Sequence, residues 1–413
     1  MNVSRRAFLV IASVVAGVSS SPARSRGADP DKYHVYIGTY TEAEGSKGVY
    51  RCELDAKTGE LSKAELAAEL TNPSFLAISP NGKFLYAVSE TQGNGEKKEG
   101  GVFAFKIDPG TGKLTKLNET TSGGGDPCHI SVSGSGRYAL VSNYTGGSWA
   151  VFKLGEDGKL GDRTDFHAFK DKPAEGANKE RQDKAHTHCG VFGNTRGTEF
   201  AYVVDLGLDR VYSYKLDEAT GKMAPTKPAF VQLPAGTGPR HIAFHSAAGK
   251  AFVCGELNST LVTLRAYATD GTLQAYDGKT VGIDLRADAT LSTLPAKVAD
   301  DVRKKNSTAE VLVHPKDAHV LVSNRGYNSL AMFGFNANKT EFAAEIKSAG
   351  DGPRAIATPR NFNIVPTGKW ILIANQDGGN VVVAQYDANG GGKLTGNAVE
   401  VAKPVCIKLL AKP

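Results

Sequence analysis

"NPSFLAISPNGKFLYAVSE", residues 72–90, contains the pattern that decides the fold of this chain. A polar opening with a proline leads into a short apolar run, a turn of Pro, Asn and Gly follows, and a second apolar run ends on polar residues. Short apolar runs between such turns are typical of β-strands. The segment therefore predicts two antiparallel strands joined by a tight turn.

The same pattern recurs along the chain. It returns in "DPCHISVSGSGRYALVSNY" (126–144), "AHTHCGVFGNTRGTEFAYVVDLG" (185–207), "GPRHIAFHSAAGKAFVCGEL" (238–257), "STAEVLVHPKDAHVLVSNRG" (307–326) and "TPRNFNIVPTGKWILIANQD" (358–377). A third apolar run and a weaker fourth one follow each pair. Four short antiparallel strands in each repeat of about 50 residues are typical of β-propeller blades.

The two ends of the chain complete one further unit. "YHVYIGTYT" (33–41) and "GVYRCELD" (48–55) match a second and a third strand, and "KPVCIKLL" (403–410) matches a first strand. Such a split unit closes a ring and leaves no open sheet edge. We therefore predict an all-β fold, a single seven-bladed propeller over residues 33–413, in which the C-terminal strand joins the N-terminal blade.

The first 23 residues differ in character from the rest. "MNVSRRAFLVIASVVAGVSSSPA" has two arginines, then an apolar run, then small residues around Pro22. The run is short for a membrane span, and "SRRAFL" resembles a twin-arginine export motif. We therefore predict a signal peptide over residues 1–23, a linker over 24–32, and a periplasmic or secreted protein.

Composition excludes several classes of protein. The chain has 49 Lys and Arg against 43 Asp and Glu, interspersed along its length, with a net charge of +6. No basic stripe is present, so we expect no nucleic-acid partner, and we expect no membrane association after signal cleavage. Five cysteines without a Cys-x-x-Cys pair predict buried free thiols rather than a zinc ribbon. A monomer is the default expectation for the oligomeric state.

Polar residues recur where the inner strands of the blades begin. The first strand of a blade lines the central channel, so its start and the end of the second strand lie at the same mouth. The position two places after the recurrent proline is occupied by Phe75, His129, His188, His241, Glu310, Asn361 and Cys406. Arg240 and Arg360 stand beside two of these residues, and the second strands end on polar residues that include Glu90, Asp205, Glu256, Asn258, Asn324, Arg325 and Asn375. These residues predict a pocket rich in histidine, arginine, carboxylate and amide groups.

Two simpler interpretations of these residues stay open. The polar side chains could only form hydrogen bonds between neighbouring blades, and Asp205 and Glu256 could be ion-pair partners of Arg240 and Arg325. His186-Thr187-His188 could supply half of a metal site. We predict neither a metal nor a cofactor.

The stretches "YIGTYT" (36–41), "GPRHIAFH" (238–245) and "VLVSNRG" (320–326), with the first repeat, resemble the lactonase family of seven-bladed propellers. That family includes 6-phosphogluconolactonases and the carboxy-muconate lactonising enzyme, and the resemblance covers nearly all of residues 33–413. It implies a lactonase, a hydrolase of carbohydrate metabolism that opens a sugar-type lactone at the channel mouth.

The resemblance also implies roles for individual residues. Its motifs match Glu256, Arg240 and Arg325, and they place a histidine at His186 or His188, of which we take His188 into the catalytic set. The arginines would bind the substrate and polarise its carbonyl group, and Glu256 or His188 would be the general base. We expect the substrate to contact His129, His186, His241, Asn258, Asn324, Arg360 and Asn375. A second Pro-Arg pair leaves open whether Arg354 or Arg360 faces the pocket.

The alternatives to a hydrolase are a non-catalytic periplasmic binding propeller and a lactonising cycloisomerase. Among lactones, we predict a non-phosphorylated sugar lactone, because phosphorylated sugars do not accumulate outside the cytoplasm. The chain also has no glycine-rich nest at a helix N-terminus to hold a phosphate.

Overall fold

The computed structural model describes residues 30–41, 45–93, 98–173, 178–195, 197–266, 270–275, 290–336, 338–350 and 352–413. The predicted signal peptide and most of the predicted linker lie outside the described residues, and so do residues 276–289. Within these ranges the chain is almost entirely β-structure.

The described strands follow one another in blades of four. They are β1 (Lys32–Thr39), β2 (Gly48–Asp55), β3 (Glu65–Glu69), β4 (Leu76–Ile78), β5 (Phe84–Ser89), β6 (Gly101–Ile107), β7 (Leu114–Thr121), β8 (Pro127–Val132), β9 (Tyr138–Asn143), β10 (Ser148–Leu154), β11 (Leu160–Ala168), β12 (Thr187–Thr195), β13 (Thr198–Asp205), β14 (Arg210–Leu216), β15 (Met223–Gln232), β16 (Pro239–His245), β17 (Lys250–Gly255), β18 (Thr260–Ala266), β19 (Leu273–Ala275), β20 (Thr290–Ser292), β21 (Ser307–Val313), β22 (His319–Arg325), β23 (Ser329–Phe335), β24 (Thr340–Lys347), β25 (Pro359–Ile364), β26 (Trp370–Asn375), β27 (Asn380–Asp387), β28 (Gly391–Glu400) and β29 (Pro404–Ala411). A short helix α1 (Asp300–Lys305) and a 3₁₀ turn (Ser246–Ala248) complete the secondary structure of the described residues.

The strands form seven antiparallel sheets, as the repeats predict. Six sheets are consecutive in the chain, and the seventh has the order β29-β1-β2-β3, so the predicted ring closure is confirmed. The closing pair runs in register from Tyr33 opposite Ala411 to Gly38 opposite Cys406. In the fifth blade, β20 adds a second partner to β18. The innermost strands β29, β4, β8, β12, β16, β21 and β25 contact one another in this order, and β25 contacts β29.

The core lies between the faces of neighbouring blades. Apolar side chains of the second and third strands are almost fully buried there, as Leu140, Val203 and Ile373 illustrate. Trp149 and Trp370 are buried in these layers. All five cysteines are buried and free, which confirms the prediction of buried thiols.

No helix in the described part of the chain is long and apolar enough to cross a membrane.

Candidate active site

The upper mouth of the channel, where the inner strands begin, is shaped by β-bulges. The register of five inner strands shifts at their start, between Pro127 and His129, Thr187 and Cys189, Pro239 and Ile242, Thr308 and Val311, and Pro359 and Asn361. In β16 the shift places both Arg240 and His241 opposite the single residue Cys254, and both side chains are buried. Bulges re-aim side chains and are common beside active sites. They let consecutive residues contribute to this mouth.

Three arginines converge on Glu256, which directly follows β17. Its carboxylate lies 2.9 Å from Nη2 of Arg181, 3.0 Å from Nε of Arg240 and 3.3 Å from Nη2 of Arg325. Burial would raise the pKa of this carboxyl group, but the three guanidinium groups outweigh burial and hold its pKa at about 2. Glu256 is therefore ionised at any physiological pH and is a poor proton acceptor.

Arg181 is the member of this cluster that the repeat pattern does not predict. It lies in the connection between β11 and β12, which runs over residues 169–186, and its side chain is 44% exposed. It also donates to the hydroxyl group of Tyr144 over 3.1 Å. Long loops over a rigid scaffold often carry functional residues. The length of this loop is the one feature of the sequence that points to a functional residue here.

A second cluster faces the first one across the mouth. Nη2 of Arg360 donates to the hydroxyl group of Tyr40 over 2.7 Å, and Tyr40 donates to both carboxylate oxygens of Glu90, over 3.0 and 3.1 Å. Arg354 is exposed and donates to the carbonyl oxygen of Gly396. Of the two arginines that the sequence left open, Arg360 faces the pocket.

A small cavity joins the two clusters. It measures about 10 Å³, close to the space that one water molecule needs. Its walls include Glu90, His188, Arg240, His241 and Arg360. Four of these five residues, all except Glu90, belong to the catalytic and substrate-contact residues predicted from the sequence, although they are far apart along the chain.

The titration of the cavity walls separates two candidate proton acceptors. Burial raises the pKa of the Glu90 carboxyl group, while Arg360 and Tyr40 oppose that rise. Burial, together with Arg240 and His241, holds the pKa of His188 well below its usual value. His188 is therefore neutral at pH 7, and its protonation would place a cation beside a guanidinium group.

The floor of the mouth is a buried polar ring. Nδ1 of His241 lies 2.8 Å from Oε1 of Glu310, whose other oxygen accepts from Asn361 over 2.5 Å. His129 packs on Phe75, with ring centroids 4.1 Å apart, and it lines a separate space of about 370 Å³ at the opposite end of the channel. The structure thus places His241 between the two spaces and His129 below the cavity.

Among the residues that the structure describes, one group has the composition of a possible metal site. Ligand atoms of His129, Cys189 and His241 lie within 4.8 Å of one another. However, Nη1 of Arg240 lies 3.3 Å from Nε2 of His241. A guanidinium group beside that ring nitrogen opposes the binding of a cation there.

Five of the predicted substrate contacts do not line the cavity: His129, which lies below it, and His186, Asn258, Asn324 and Asn375. His186 stacks on Tyr144 at the rim, and its Nε2 lies 2.7 Å from Oδ1 of Asp183. Asn258 is exposed and accepts from the hydroxyl group of Thr260 within its own turn. The side-chain amide of Asn324 donates to the carbonyl oxygen of Thr293, and that of Asn375 donates to the carbonyl oxygen of Ala355. These three asparagines hold turns, because a short amide side chain bonds nearby backbone groups readily.

Asp205 likewise does not form the ion pair that the sequence allowed. Its carboxylate accepts from the backbone N–H groups of His186 and Leu208 and from the hydroxyl group of Thr187. It therefore stabilises the turn after β13.

A much wider groove, of about 1270 Å³, lies at the opposite face of the ring. Its walls are formed by the turn between β4 and β5, by neighbouring turns and by the C-terminal residues 409–413. The histidines and arginines of the upper mouth are not among its walls. Since catalysis needs convergent polar groups, the small cavity is the better candidate for chemistry.

Comparisons with known proteins agree with this fold. A family model described as "Lactonase, 7-bladed beta-propeller" matches residues 34–409. The chain is 34% identical over 380 residues to a 6-phosphogluconolactonase of Bacillus subtilis, covering 92% of this chain and 99% of that protein. It is 31% identical over 358 residues to a 6-phosphogluconolactonase of Formosa agariphila, covering 86% and 93%.

A solved structure has the same architecture. The periplasmic gluconolactonase of Pseudomonas aeruginosa superposes with a TM-score of 0.78 at 25% identity, covering 92% of this chain and all of that one. The similarity therefore extends over the whole ring and includes the blades that form the upper mouth.

Proposed function

The chain belongs to the lactonase family of seven-bladed β-propellers, and from this premise we propose that it hydrolyses a sugar lactone at the upper mouth of its channel. The observation that carries the proposal is the convergence of Arg181, Arg240 and Arg325 on one carboxylate beside a cavity. Three guanidinium groups against one carboxylate leave a surplus of positive charge. Such a surplus favours a substrate that develops negative charge during the reaction.

The opening of a lactone develops that charge on its carbonyl oxygen. When water attacks the carbonyl carbon, the oxygen becomes an oxyanion, and preorganised donors stabilise it. We assign this role to Arg240 and Arg325, whose side chains are mostly buried and already fixed. Glu256 holds the guanidinium groups in position. Because these cations polarise the carbonyl group, the proposed reaction requires no metal.

The proposed substrate is a non-phosphorylated sugar lactone that the enzyme encounters outside the cytoplasm. Two observations support this choice. The N-terminal residues have the pattern of a twin-arginine signal, and the relative from Pseudomonas aeruginosa is named as a periplasmic gluconolactonase. The relatives named 6-phosphogluconolactonase make the phosphorylated lactone the natural competitor.

A matched pair of variants tests the location of the site. Arg240→Met removes a buried guanidinium group from the cluster, whereas Arg354→Met removes an exposed one. We expect the first variant to lower kcat/KM for δ-gluconolactone by about 10²–10³-fold, the usual effect of losing one oxyanion donor. The second should match the parent protein within about twofold. Equal activity of all three proteins, after correction for hydrolysis in buffer, would place the chemistry elsewhere.

A further inference from the structure

The proposed reaction needs a group that accepts a proton from water, and the cluster of arginines does not supply one. Glu256 is locked as an anion by three guanidinium groups, and its pKa of about 2 makes it a weak base. His188 is neutral but is buried beside Arg240, which disfavours its protonation. The remaining candidate for the proton acceptor lies on the other side of the cavity.

Glu90 is placed for this task. It directly follows β5, and its backbone is fixed by Asn72, whose carbonyl oxygen accepts from the Glu90 N–H group over 3.0 Å and whose side chain donates to the Glu90 carbonyl oxygen over 3.2 Å. The side chain is half-buried and forms part of the wall of the water-sized cavity that His188 and Arg240 also line. The Glu90 side chain therefore lies at the wall of the cavity and is not fully buried.

The partners of Glu90 form a chain across three blades. Arg360, on β25 of the last blade, donates to Tyr40 at the end of β1, and Tyr40 donates to Glu90 in the next blade. The guanidinium group also lies over the Tyr40 ring, 5.0 Å from its centroid. In this series of hydrogen bonds Arg360 contacts Tyr40 and not the Glu90 carboxylate itself, whereas the Glu256 carboxylate pairs directly with its arginines. The carboxylate keeps hydrogen-bonding capacity for a water molecule.

We propose that Glu90 is the general base of lactone opening and that Tyr40 and Arg360 are positioning residues that hold its carboxylate toward the attacking water. The proposal rests on the proposed function, because it assigns a step of that reaction.

The step conserves atoms and charge. Glu90 takes a proton from water while the water oxygen forms a bond to the carbonyl carbon, and the negative charge moves to the carbonyl oxygen near the arginines. The intermediate then re-forms its carbonyl group, and the bond from that carbon to the ring oxygen breaks. The proton on Glu90 passes to the ring oxygen, which yields a hydroxy acid and the original carboxylate. A base whose pKa lies near the working pH suits this exchange.

The titration of Glu90 gives the proposal a specific signature. Burial raises the pKa of its carboxyl group and the nearby Asp126 adds to that rise, while Arg360 and the hydroxyl groups of Ser74 and Tyr40 oppose it. Because the base must be ionised, kcat/KM should increase with pH through the pKa of Glu90. Removing the hydrogen bond in Tyr40→Phe should move this increase to higher pH, since the anion then loses a donor.

The experiment compares δ-gluconolactone hydrolysis by the parent protein, Glu90→Gln and Tyr40→Phe between about pH 4 and pH 8. The control pair is Glu345→Gln and Tyr327→Phe, because Tyr327 donates to Glu345 over 3.2 Å on the outermost strand of its blade, outside the cavity. Glu90→Gln should lower kcat by about 10²–10⁴-fold and abolish the increase with pH. The control pair should leave both the rate and the pH profile unchanged.

Different results overturn different proposals. If the parent protein hydrolyses the lactone and Glu90→Gln retains its rate and pH profile, Glu90 is not the base, while the proposed function stands. If the parent protein hydrolyses no sugar lactone, both proposals fail. Should Glu90→Gln not fold, as judged by circular dichroism, Tyr40→Phe decides, because an unshifted pH profile in that variant contradicts the proposal.

Discussion

Glu256→Gln should destabilise the protein by an amount that the geometry of its arginines sets. Glutamine has nearly the shape of the protonated acid, so the variant removes the charge and little else. Holding the pKa of Glu256 at about 2 instead of its ordinary 4.5 corresponds to roughly 3 kcal/mol in favour of the charged form. We therefore expect the free energy of unfolding at pH 7 to fall by about 3 kcal/mol.

The pH dependence of this loss follows from the direction of the shift. Because the pKa of Glu256 is lowered in the folded state, its contribution is complete above the ordinary pKa of 4.5 and is lost as the pH falls toward 2. The difference between parent and variant should therefore shrink in acid. Urea denaturation at neutral pH and at about pH 3.5 measures it.

The matched control is Glu65→Gln, since Glu65 pairs with Arg51 over 2.9 Å but is 65% exposed. That variant should lose less than about 1 kcal/mol at any pH. If Glu256→Gln and Glu65→Gln were equally stable at neutral pH, the three arginines would not stabilise the Glu256 carboxylate, and the electrostatic description of the site would be wrong.

Three further outcomes are expected. Arg181→Ala should raise KM for the lactone more than it lowers kcat, because its exposed guanidinium group lies at the rim; steady-state kinetics separates the two, and an unchanged KM would contradict this. Deleting residues 404–413 removes β29 with buried Val405 and Ile407, and the burial of each side chain contributes about 2 kcal/mol to the free energy of unfolding. Thermal unfolding of this variant should therefore show the loss of a cooperative transition. An unchanged Tm would refute ring closure as a source of stability. Expression with residues 1–23 intact should yield a cleaved protein in the periplasm, and an uncleaved cytoplasmic product would refute the predicted export.

The repeats predict the fold because the strands and turns of each blade are determined by the local sequence of one repeat. Each pair of inner strands needs its own apolar runs and its own turn, as in residues 72–90, and the unmatched runs at the two ends can only complete one blade. The pairing of β29 with β1 is therefore predictable without knowledge of the packing.

The chemistry of the mouth is less predictable, because it depends on contacts between blades. Position in the repeat indicates which residues stand at the mouth but not what each side chain bonds. Asn324 and Glu256 both lie at the end of a second strand. The amide group of Asn324 nevertheless stabilises a turn, whereas the carboxylate of Glu256 pairs with three arginines. The bulge that buries both Arg240 and His241 leaves no signal in the apolar pattern. Arg181 lies outside the repeat altogether.

The most direct test of the account is the rate at which the purified mature protein opens δ-gluconolactone, measured beside its 6-phosphate and corrected for hydrolysis in buffer. We predict hydrolysis of both well above buffer, without a preference for the phosphate. A kcat/KM ten times higher for the phosphate, equivalent to about 1.4 kcal/mol of transition-state binding, would contradict the proposed substrate. No rate above buffer with any sugar lactone would contradict the central claim that this propeller is a lactone hydrolase.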